Sequence, residues 1–142
     1  YAKPEVLAAQ HAEGVTLDEL LGRSDIVSLH LPSSAETRHF IDAGRLAQMK
    51  DGAVLINTAR GALVDETALV AALESGKLSA AGIDVFEREP VTPDVPLLSV
   101  ENTALSPHCA AITYETNFNG GMTCAESILR VLEGGDPVYP VV

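Results

Sequence analysis

Short apolar runs alternate with stretches of helical periodicity along most of this chain. The apolar runs predict strands at residues 25–29, 53–57, 80–85 and 103–105. The run at 53–57 is nearly continuous in apolar residues, as expected for a parallel strand that is buried on both faces. Strands that alternate with helices favour right-handed crossovers and a parallel sheet. The pattern therefore predicts an α/β fold with a doubly wound parallel sheet.

Capping signals divide the intervening stretches into helices. Thr16 and Glu19 have the spacing of a capping box, while Asp42 and Asp65 stand where helix N-caps are expected. Three prolines predict a loop at 87–96, and the tail at 138–142 is predicted to be extended. The predicted helices span residues 4–12, 17–21, 43–49, 66–74 and 114–133.

Composition narrows the function classes. With 142 residues, 46% hydrophobic and 20% charged, the chain is long enough for one domain with its own core. A formal charge of −11 argues against a nucleic-acid partner, which needs clustered Lys and Arg. No apolar run is long enough to predict a membrane span, so no membrane partner is expected.

The spacing of the cysteines and histidines indicates neither a disulfide framework nor a metal site. Cys109 and Cys124 lack the spacing of a disulfide framework, which favours a reducing, cytoplasmic setting. The four histidines lack metal-ligand spacing, so no metal site is expected.

Three chemically distinct side chains follow predicted strands. Arg60, Glu89 and His108 supply a guanidinium, a carboxylate and an imidazole. In an open parallel sheet, the loops after the carboxyl ends of the strands converge on one crevice. A guanidinium grips a carboxylate through paired hydrogen bonds, and an imidazole exchanges protons near neutral pH. These groups suit oxidation or reduction of a carbon next to an acid group. Composition alone does not choose between Glu89 and the nearby Glu87.

The motifs around these residues resemble those of a known family. They are DIVSLHLP at 25–32, ETRH at 36–39, MKDGAVLINTARG at 49–61, LVDE at 63–66, AGIDVFEREP at 81–90 and PH at 107–108. In this order they resemble the C-terminal part of D-isomer-specific 2-hydroxyacid dehydrogenases, which include phosphoglycerate, glycerate and formate dehydrogenases. The resemblance implies a Rossmann-like nucleotide-binding fold and a small 2-hydroxy or 2-oxo acid substrate.

The resemblance also implies roles for the three side chains. Arg60 would hold the substrate carboxylate and polarise the neighbouring carbonyl. His108 would be the general acid/base. Glu89, whose spacing from Arg60 matches the family, would pair with that histidine, and Glu87 is then expected to be a solvated charge. His11 and His39 are expected to be structural or surface residues.

The cofactor implied by the resemblance is NAD, with NADP possible. Asp84 would accept a hydrogen bond from the nicotinamide carboxamide. Ala2 stands where relatives often carry an aspartate for the ribose 2′-hydroxyl, which leaves the choice between NAD and NADP open. The residues expected at the cofactor are His30, Leu31, Pro32, Thr37, Thr58, Ala59, Arg60, Asp84, His108 and Ala110.

An absent motif bears on how the domain is organised. No Gly-x-Gly-x-x-Gly occurs, although dinucleotide-binding domains use it to approach the pyrophosphate. The chain is therefore expected to be an incomplete piece of a longer enzyme. Residues 1–112 would be the C-terminal part of the NAD(P)-binding domain, and 113–142 a helix and tail that pack toward a substrate domain.

Two other functions remain open at this point. A relative could keep the fold and serve as a nicotinamide-responsive binding protein, as co-repressors of this family do. The isolated chain could also be inert, because it lacks the phosphate-binding loop. The resemblance further implies a homodimer.

Overall fold

The computed structural model describes residues 3–140 of the chain. They fall into two compact units, residues 3–107 and residues 108–140, which we call the sheet unit and the helical unit. The predicted domain boundary after residue 112 remains a prediction. Ala2 and the last two residues of the predicted tail lie outside the described residues.

A four-stranded sheet organises the sheet unit. Its strands are β1 (Ile26–Leu29), β2 (Ala53–Asn57), β3 (Leu78–Ile83) and β4 (Thr103–Leu105). All three neighbouring pairs are parallel, and the spatial order β1-β2-β3-β4 follows the chain. This arrangement confirms the predicted α/β class with a Rossmann-like parallel sheet.

Three helices of the sheet unit begin at the predicted caps. The Thr16 hydroxyl accepts from the backbone N–H of Glu19, whose carboxylate accepts from the Thr16 N–H in return, which completes the capping box. Asp42 and Asp65 cap the next two helices through their side-chain oxygens. The helices are α1 (Pro4–Ala9), α2 (Leu17–Arg23), α3 (Ala43–Gln48) and α4 (Glu66–Glu74), with 3₁₀ turns at Gly61–Leu63 and Pro96–Ser99.

Several predicted boundaries were wrong. β3 begins at Leu78 rather than residue 80, because Leu78 is fully buried and pairs with Ala53 beside a register shift. α1 ends at Ala9 instead of continuing to residue 12. The predicted loop at 87–96, by contrast, is confirmed up to residue 95, and Pro96 opens a 3₁₀ turn.

Leucine side chains fill the core between the sheet and its helices. Leu21, Leu55, Leu63, Leu78 and Leu97 have no exposed surface. Full burial of one such side chain is worth about 1.5–3 kcal/mol relative to exposure. The dense core holds the strands in place, so the residues that follow their carboxyl ends start from fixed points.

The helical unit is built around α5 (Tyr114–Leu132), in which no residue is buried. The Thr113 hydroxyl caps it by accepting from the Thr116 backbone N–H at 3.1 Å. The rings of Tyr114 and Phe118 stack with centroids 6.3 Å apart. Among residues 3–140, no helix has the length and apolar character needed to cross a bilayer.

Candidate active site

Residues that follow the strands of the sheet unit form the candidate site. His30 follows β1, Arg60 comes shortly after β2, Asp84 follows β3 and Ser106 follows β4. Because the four strands are parallel, these positions lie along one edge of the sheet. The predicted crevice-lining residues of this unit therefore emerge on the same side.

Asn57 shapes the turn that carries Arg60. It is the last residue of β2, with 1% of its surface exposed. Its amide nitrogen donates to the Arg60 carbonyl at 3.0 Å, and its oxygen accepts from the Ala59 N–H at 3.1 Å. Within this turn, Thr58 and Arg60 are exposed and Ala59 is half-buried. The family resemblance alone does not assign Asn57 this role, although an amide ending an apolar strand is a usable signal.

A close backbone contact joins the Arg60 turn to the exit of β3. A Cβ built on Gly61 would lie 1.9 Å from the Phe86 carbonyl oxygen. Only glycine allows the two backbone segments to come this close without a shift. Arg60 and Glu89, each within three residues of this contact, are thereby tied to one another through the backbone.

Asp84 is a buried acid at the carboxyl edge. Only 3% of its surface is exposed, and its carboxylate accepts from the Ser106 hydroxyl at 2.5 Å. Its backbone N–H donates to the Asn57 carbonyl at 3.0 Å, and the Ser106 N–H donates to Ile83 at the same distance. Asp84 is therefore a fixed hydrogen-bond acceptor between two strand ends.

Glu89 stands in a short turn after Val85. Its Oε1 accepts from the Phe86 backbone N–H at 3.0 Å, which sets the orientation of the carboxylate. The residue as a whole is exposed. The turn therefore orients the carboxylate of an exposed residue.

Glu87 is not the solvated charge that the sequence predicted. Its carboxylate contacts the His39 Nε2 and lies 3.5 Å from the Arg38 guanidinium. The Glu87 side chain is only 25% exposed. Its backbone N–H donates to the Glu66 carboxylate at 2.6 Å. The contacts to His39 and Glu66 join residues far apart in sequence, so no local pattern could have revealed them.

Glu66 responds to this environment. Burial raises the pKa of the Glu66 carboxyl, and the hydrogen bond from the Glu87 backbone works in the opposite direction. The negative charge of Glu87 adds to the increase in pKa. Neutralising the Glu66 carboxyl removes a desolvated charge from the start of α4.

The predicted cofactor residues after β1 form a small hydrogen-bonded turn. His30 Nε2 lies 2.9 Å from the Ser28 hydroxyl. The Thr37 hydroxyl donates to the Pro32 carbonyl at 2.8 Å, which closes the segment. Leu31 is 37% exposed, so an apolar surface is presented at this strand end.

His108 and Ala110 belong to the helical unit. Both are exposed, and His108 has a φ of 54°, in the left-handed region. A non-glycine residue holds this conformation only where its surroundings determine it. His108 directly follows Pro107, the last residue of the sheet unit.

The polar and apolar groups at the carboxyl edge of the sheet suit a nicotinamide nucleotide. It combines a buried carboxylate acceptor at Asp84, an exposed apolar residue at Leu31 and exposed polar groups on the Thr58–Arg60 turn. Ligand sites of this kind are mostly apolar, with a few placed polar groups.

Comparison with known proteins decides the family. Residues 1–110 match the family described as D-isomer specific 2-hydroxyacid dehydrogenase, NAD binding domain. The chain belongs to this family. The match confirms the resemblance seen in the sequence and the expected nicotinamide cofactor class.

Individual relatives agree with the family match. The chain is 45% identical to a glyoxylate reductase of Aeropyrum pernix over 135 residues, covering 95% of this chain and 40% of that protein. It is also 45% identical over 120 residues to D-3-phosphoglycerate dehydrogenase of Archaeoglobus fulgidus, covering 84% of this chain and 23% of that protein. It therefore spans less than half the length of these two relatives.

A solved structure shares the fold. D-lactate dehydrogenase of Lactobacillus jensenii, solved with NAD⁺, superposes with a TM-score of 0.91 at 29% identity. The superposition covers 100% of this chain and 46% of that one.

Proposed function

We propose that the protein carrying this chain is an NAD(P)-dependent oxidoreductase that transfers a hydride between the cofactor and the 2-carbon of a small 2-hydroxy or 2-oxo acid. The observation that carries this proposal is the family membership, together with an exposed arginine on a fixed turn at the carboxyl edge of the sheet. The nicotinamide supplies the hydride chemistry, and the protein supplies orientation and charge.

Arg60 would bind the substrate carboxylate. Its backbone is fixed by the buried Asn57 amide, while the residue itself is exposed and can meet a ligand. A guanidinium that grips a carboxylate through two hydrogen bonds also fixes the direction of the adjoining carbonyl.

His108 and Glu89 would form the acid/base pair. His108 would give a proton to the forming alkoxide during reduction and accept it during oxidation. Glu89 would favour the protonated imidazole and fix its tautomer. The set Arg60, Glu89 and His108 supports this assignment through its match to the family motifs and through its chemistry.

Asp84 would hold the carboxamide of the nicotinamide, as the resemblance implies. A buried acceptor that is already fixed by hydrogen bonds needs little reorganisation on binding. The remaining contacts are assigned, in the same way, to His30, Leu31, Pro32, Thr37, Thr58, Ala59, Arg60, His108 and Ala110.

The partners of the protein are part of the same proposal. The substrate would be a small 2-oxo acid, and glyoxylate is the first compound to test because the A. pernix relative is a glyoxylate reductase. We also propose that the protein is a cytoplasmic homodimer that binds neither nucleic acid nor membrane. These points rest on composition and on the family resemblance.

Turnover of glyoxylate and related 2-oxo acids tests the proposal. Oxidation of NADH and of NADPH by the full-length protein is followed by the absorbance of the reduced nicotinamide. Arg60→Ala and His108→Ala should each lower kcat/KM by roughly a hundredfold or more. The larger part of the Arg60→Ala loss should appear in KM, because that side chain binds substrate.

Arg23→Ala is the matched control for Arg60→Ala, because Arg23 is an exposed arginine at the end of α2, ahead of β1, and has no assigned role. Its kcat/KM should equal that of the wild type. Wild-type rates in either Arg60→Ala or His108→Ala would contradict the proposed roles, and no turnover of any 2-oxo acid would overturn the proposed function.

A further inference from the structure

The side chains of Glu66 and His39, which lie outside the candidate acid/base pair, both contact the turn that carries Glu89. The turn is held at two successive backbone N–H groups. Phe86 donates to the Glu89 carboxylate at 3.0 Å, and Glu87 donates to the Glu66 carboxylate at 2.6 Å. The first bond fixes the Glu89 side chain to the turn, and the second fixes the turn to the start of α4.

The side chain of Glu87 adds a third attachment. Its Oε1 contacts the His39 imidazole, whereas the Arg38 guanidinium at 3.5 Å is a minor partner because it is 62% exposed. The His39 side chain is 35% exposed and that of Glu87 is 25% exposed, so water reaches this contact only in part. His39 is therefore the principal partner of the Glu87 carboxylate.

His39 is itself attached to the segment after Arg60. Its backbone N–H donates to the Ala62 carbonyl at 2.7 Å, and the Ile41 N–H donates to Leu63 at 2.8 Å. A parallel bridge between Ile41 and Val64 continues the pairing. The imidazole thus extends from a backbone that is fixed relative to the Arg60 turn.

The backbone of His39 adopts an unfavourable conformation. Its φ of 49° lies in the left-handed region, where a side chain is disfavoured and glycine or asparagine is more usual. An outlier of this kind persists where the surroundings determine it, and such residues cluster at functional sites. The left-handed backbone is the one that brings the imidazole to Glu87 while the His39 N–H remains bonded to Ala62.

We propose that His39 and Glu87 are positioning residues for Glu89. Together they hold the 86–89 turn against the segment that follows Arg60, so that the Glu89 carboxylate keeps one distance and direction relative to the guanidinium. This inference rests on the proposed function, in which Glu89 serves the acid/base step. Misplacement of a catalytic group by about 1 Å can lower a rate about a hundredfold.

The charges around the pair define its electrostatics. Facing Glu87 are His39 and Arg38 from the segment before α3 and Glu66 from the start of α4. The Glu87 carboxylate therefore has two potential cations on one side and a carboxylate on the other. Removal of His39 would take away the imidazole contact and leave Glu87 close to Glu66 beside only the exposed Arg38, so the turn would lose an attachment.

Kinetics of the full-length enzyme test the proposal. His39→Ala and Glu87→Ala should each lower kcat by roughly tenfold to a hundredfold, with KM for the 2-oxo acid changed less than about twofold, because Arg60 is untouched. The double variant should lose no more than either single variant, because the two side chains act as one unit. His39→Gln, which keeps a nitrogen donor near the Nε2 position, should recover part of kcat.

Two controls separate positioning from folding. His11→Ala changes the other described histidine of the sheet unit that has a left-handed backbone, with φ of 51°, and should leave kcat unchanged. All assays are run well below the melting temperature of each variant. If His39→Ala or Glu87→Ala does not fold, His39→Gln and Glu87→Gln replace them, and Glu87→Gln should still lower kcat because the charge is lost.

A structural readout accompanies the kinetics. In amide-exchange NMR of the full-length protein, His39→Ala should accelerate exchange of the Phe86 and Glu87 N–H groups, whereas His11→Ala should not. A His39→Ala enzyme with kcat within twofold of wild type would overturn the proposal. Strictly additive losses in the double variant would also overturn it. Absence of turnover of any 2-oxo acid by the wild-type protein would instead overturn the proposed function, so the two failures are distinguishable.

Discussion

Gly61 and Phe86 are in backbone contact so close that a Cβ on Gly61 would lie 1.9 Å from the Phe86 carbonyl oxygen. Gly61 directly follows Arg60, and Phe86 donates its N–H to Glu89. The contact therefore joins the two turns on which a substrate-binding cation and a carboxylate are proposed to act. Because both partners are backbone atoms, neither can move aside by a change of rotamer.

Gly61→Ala should destabilise the protein by more than about 3 kcal/mol, because the added methyl group forces one of the two turns to shift. Urea denaturation followed by circular dichroism measures the loss. The position is closed to every larger side chain for the same reason.

Gly22→Ala is the matched control. Gly22 lies inside α2, and a Cβ there would meet nothing within 4 Å. The substitution should stabilise the protein by about 0.5–1 kcal/mol, because alanine favours the helix. A Gly61→Ala variant as stable as Gly22→Ala would show that the close contact is absent.

Asn57→Ala should cost about 2–3 kcal/mol. The substitution removes two hydrogen bonds and leaves the Ala59 N–H and the Arg60 carbonyl without them. Chemical denaturation gives the free energy of unfolding. In the full-length enzyme, KM should rise as well, because the Arg60 turn loses its support.

Asn102→Ala provides the comparison for Asn57→Ala. The Asn102 amide donates one hydrogen bond of 3.0 Å to Ser79, at a half-buried position away from the Arg60 turn. Its loss should cost about 1 kcal/mol, with KM unchanged. Equal losses of stability and equal KM values for the two variants would rule out a special role for Asn57.

Much of the fold followed from local patterns. β2 and α4 have the predicted boundaries, because one is a continuous apolar run and the other begins at an aspartate cap. β3 was predicted less well, since its first residues include Ser79 and its pairing depends on a register shift next to Ala53. Register is a property of two strands, and one segment alone does not determine it.

In the candidate site, the sequence predicted only those positions that follow from the end of a single strand. Arg60 and Asp84 follow β2 and β3 as expected. The contact of His39 with Glu87 spans 48 positions and depends on a left-handed backbone at His39, a conformation that is uncommon outside glycine. The close approach of Gly61 to Phe86 is also a tertiary fact, although the glycine after Arg60 was a visible hint.

Glu66→Gln should become more stabilising, relative to wild type, as the pH rises from about 4 to 7. Burial raises the pKa of the Glu66 carboxyl in the folded state. Below the unfolded value the group is neutral in both states and contributes no difference. As the pH rises through the folded pKa, the wild type ionises a desolvated group and loses stability, whereas glutamine does not. Denaturation series at several pH values measure the difference.

Glu19→Gln should show the opposite trend. Hydrogen bonds from the backbone and the hydroxyl of Thr16 lower the pKa of the Glu19 carboxyl. Folding therefore favours the ionised form, and the variant should lose stability relative to wild type as the pH rises from the lowered folded pKa to the ordinary glutamate pKa of about 4.3. Parallel pH trends for Glu66→Gln and Glu19→Gln would contradict the environment described for Glu66.

The hydrogen bond from the Asp84 N–H to the Asn57 carbonyl continues the pairing of β2 and β3 one step beyond the last residue of β3. Both side chains at that step are buried and polar. Local opening of the outer loops should consequently leave the pairing of Asn57 with Asp84 intact and should not extend into β2 and β3. Insertions or deletions beyond it should then change the outer loops while leaving the ends of β2 and β3 in place.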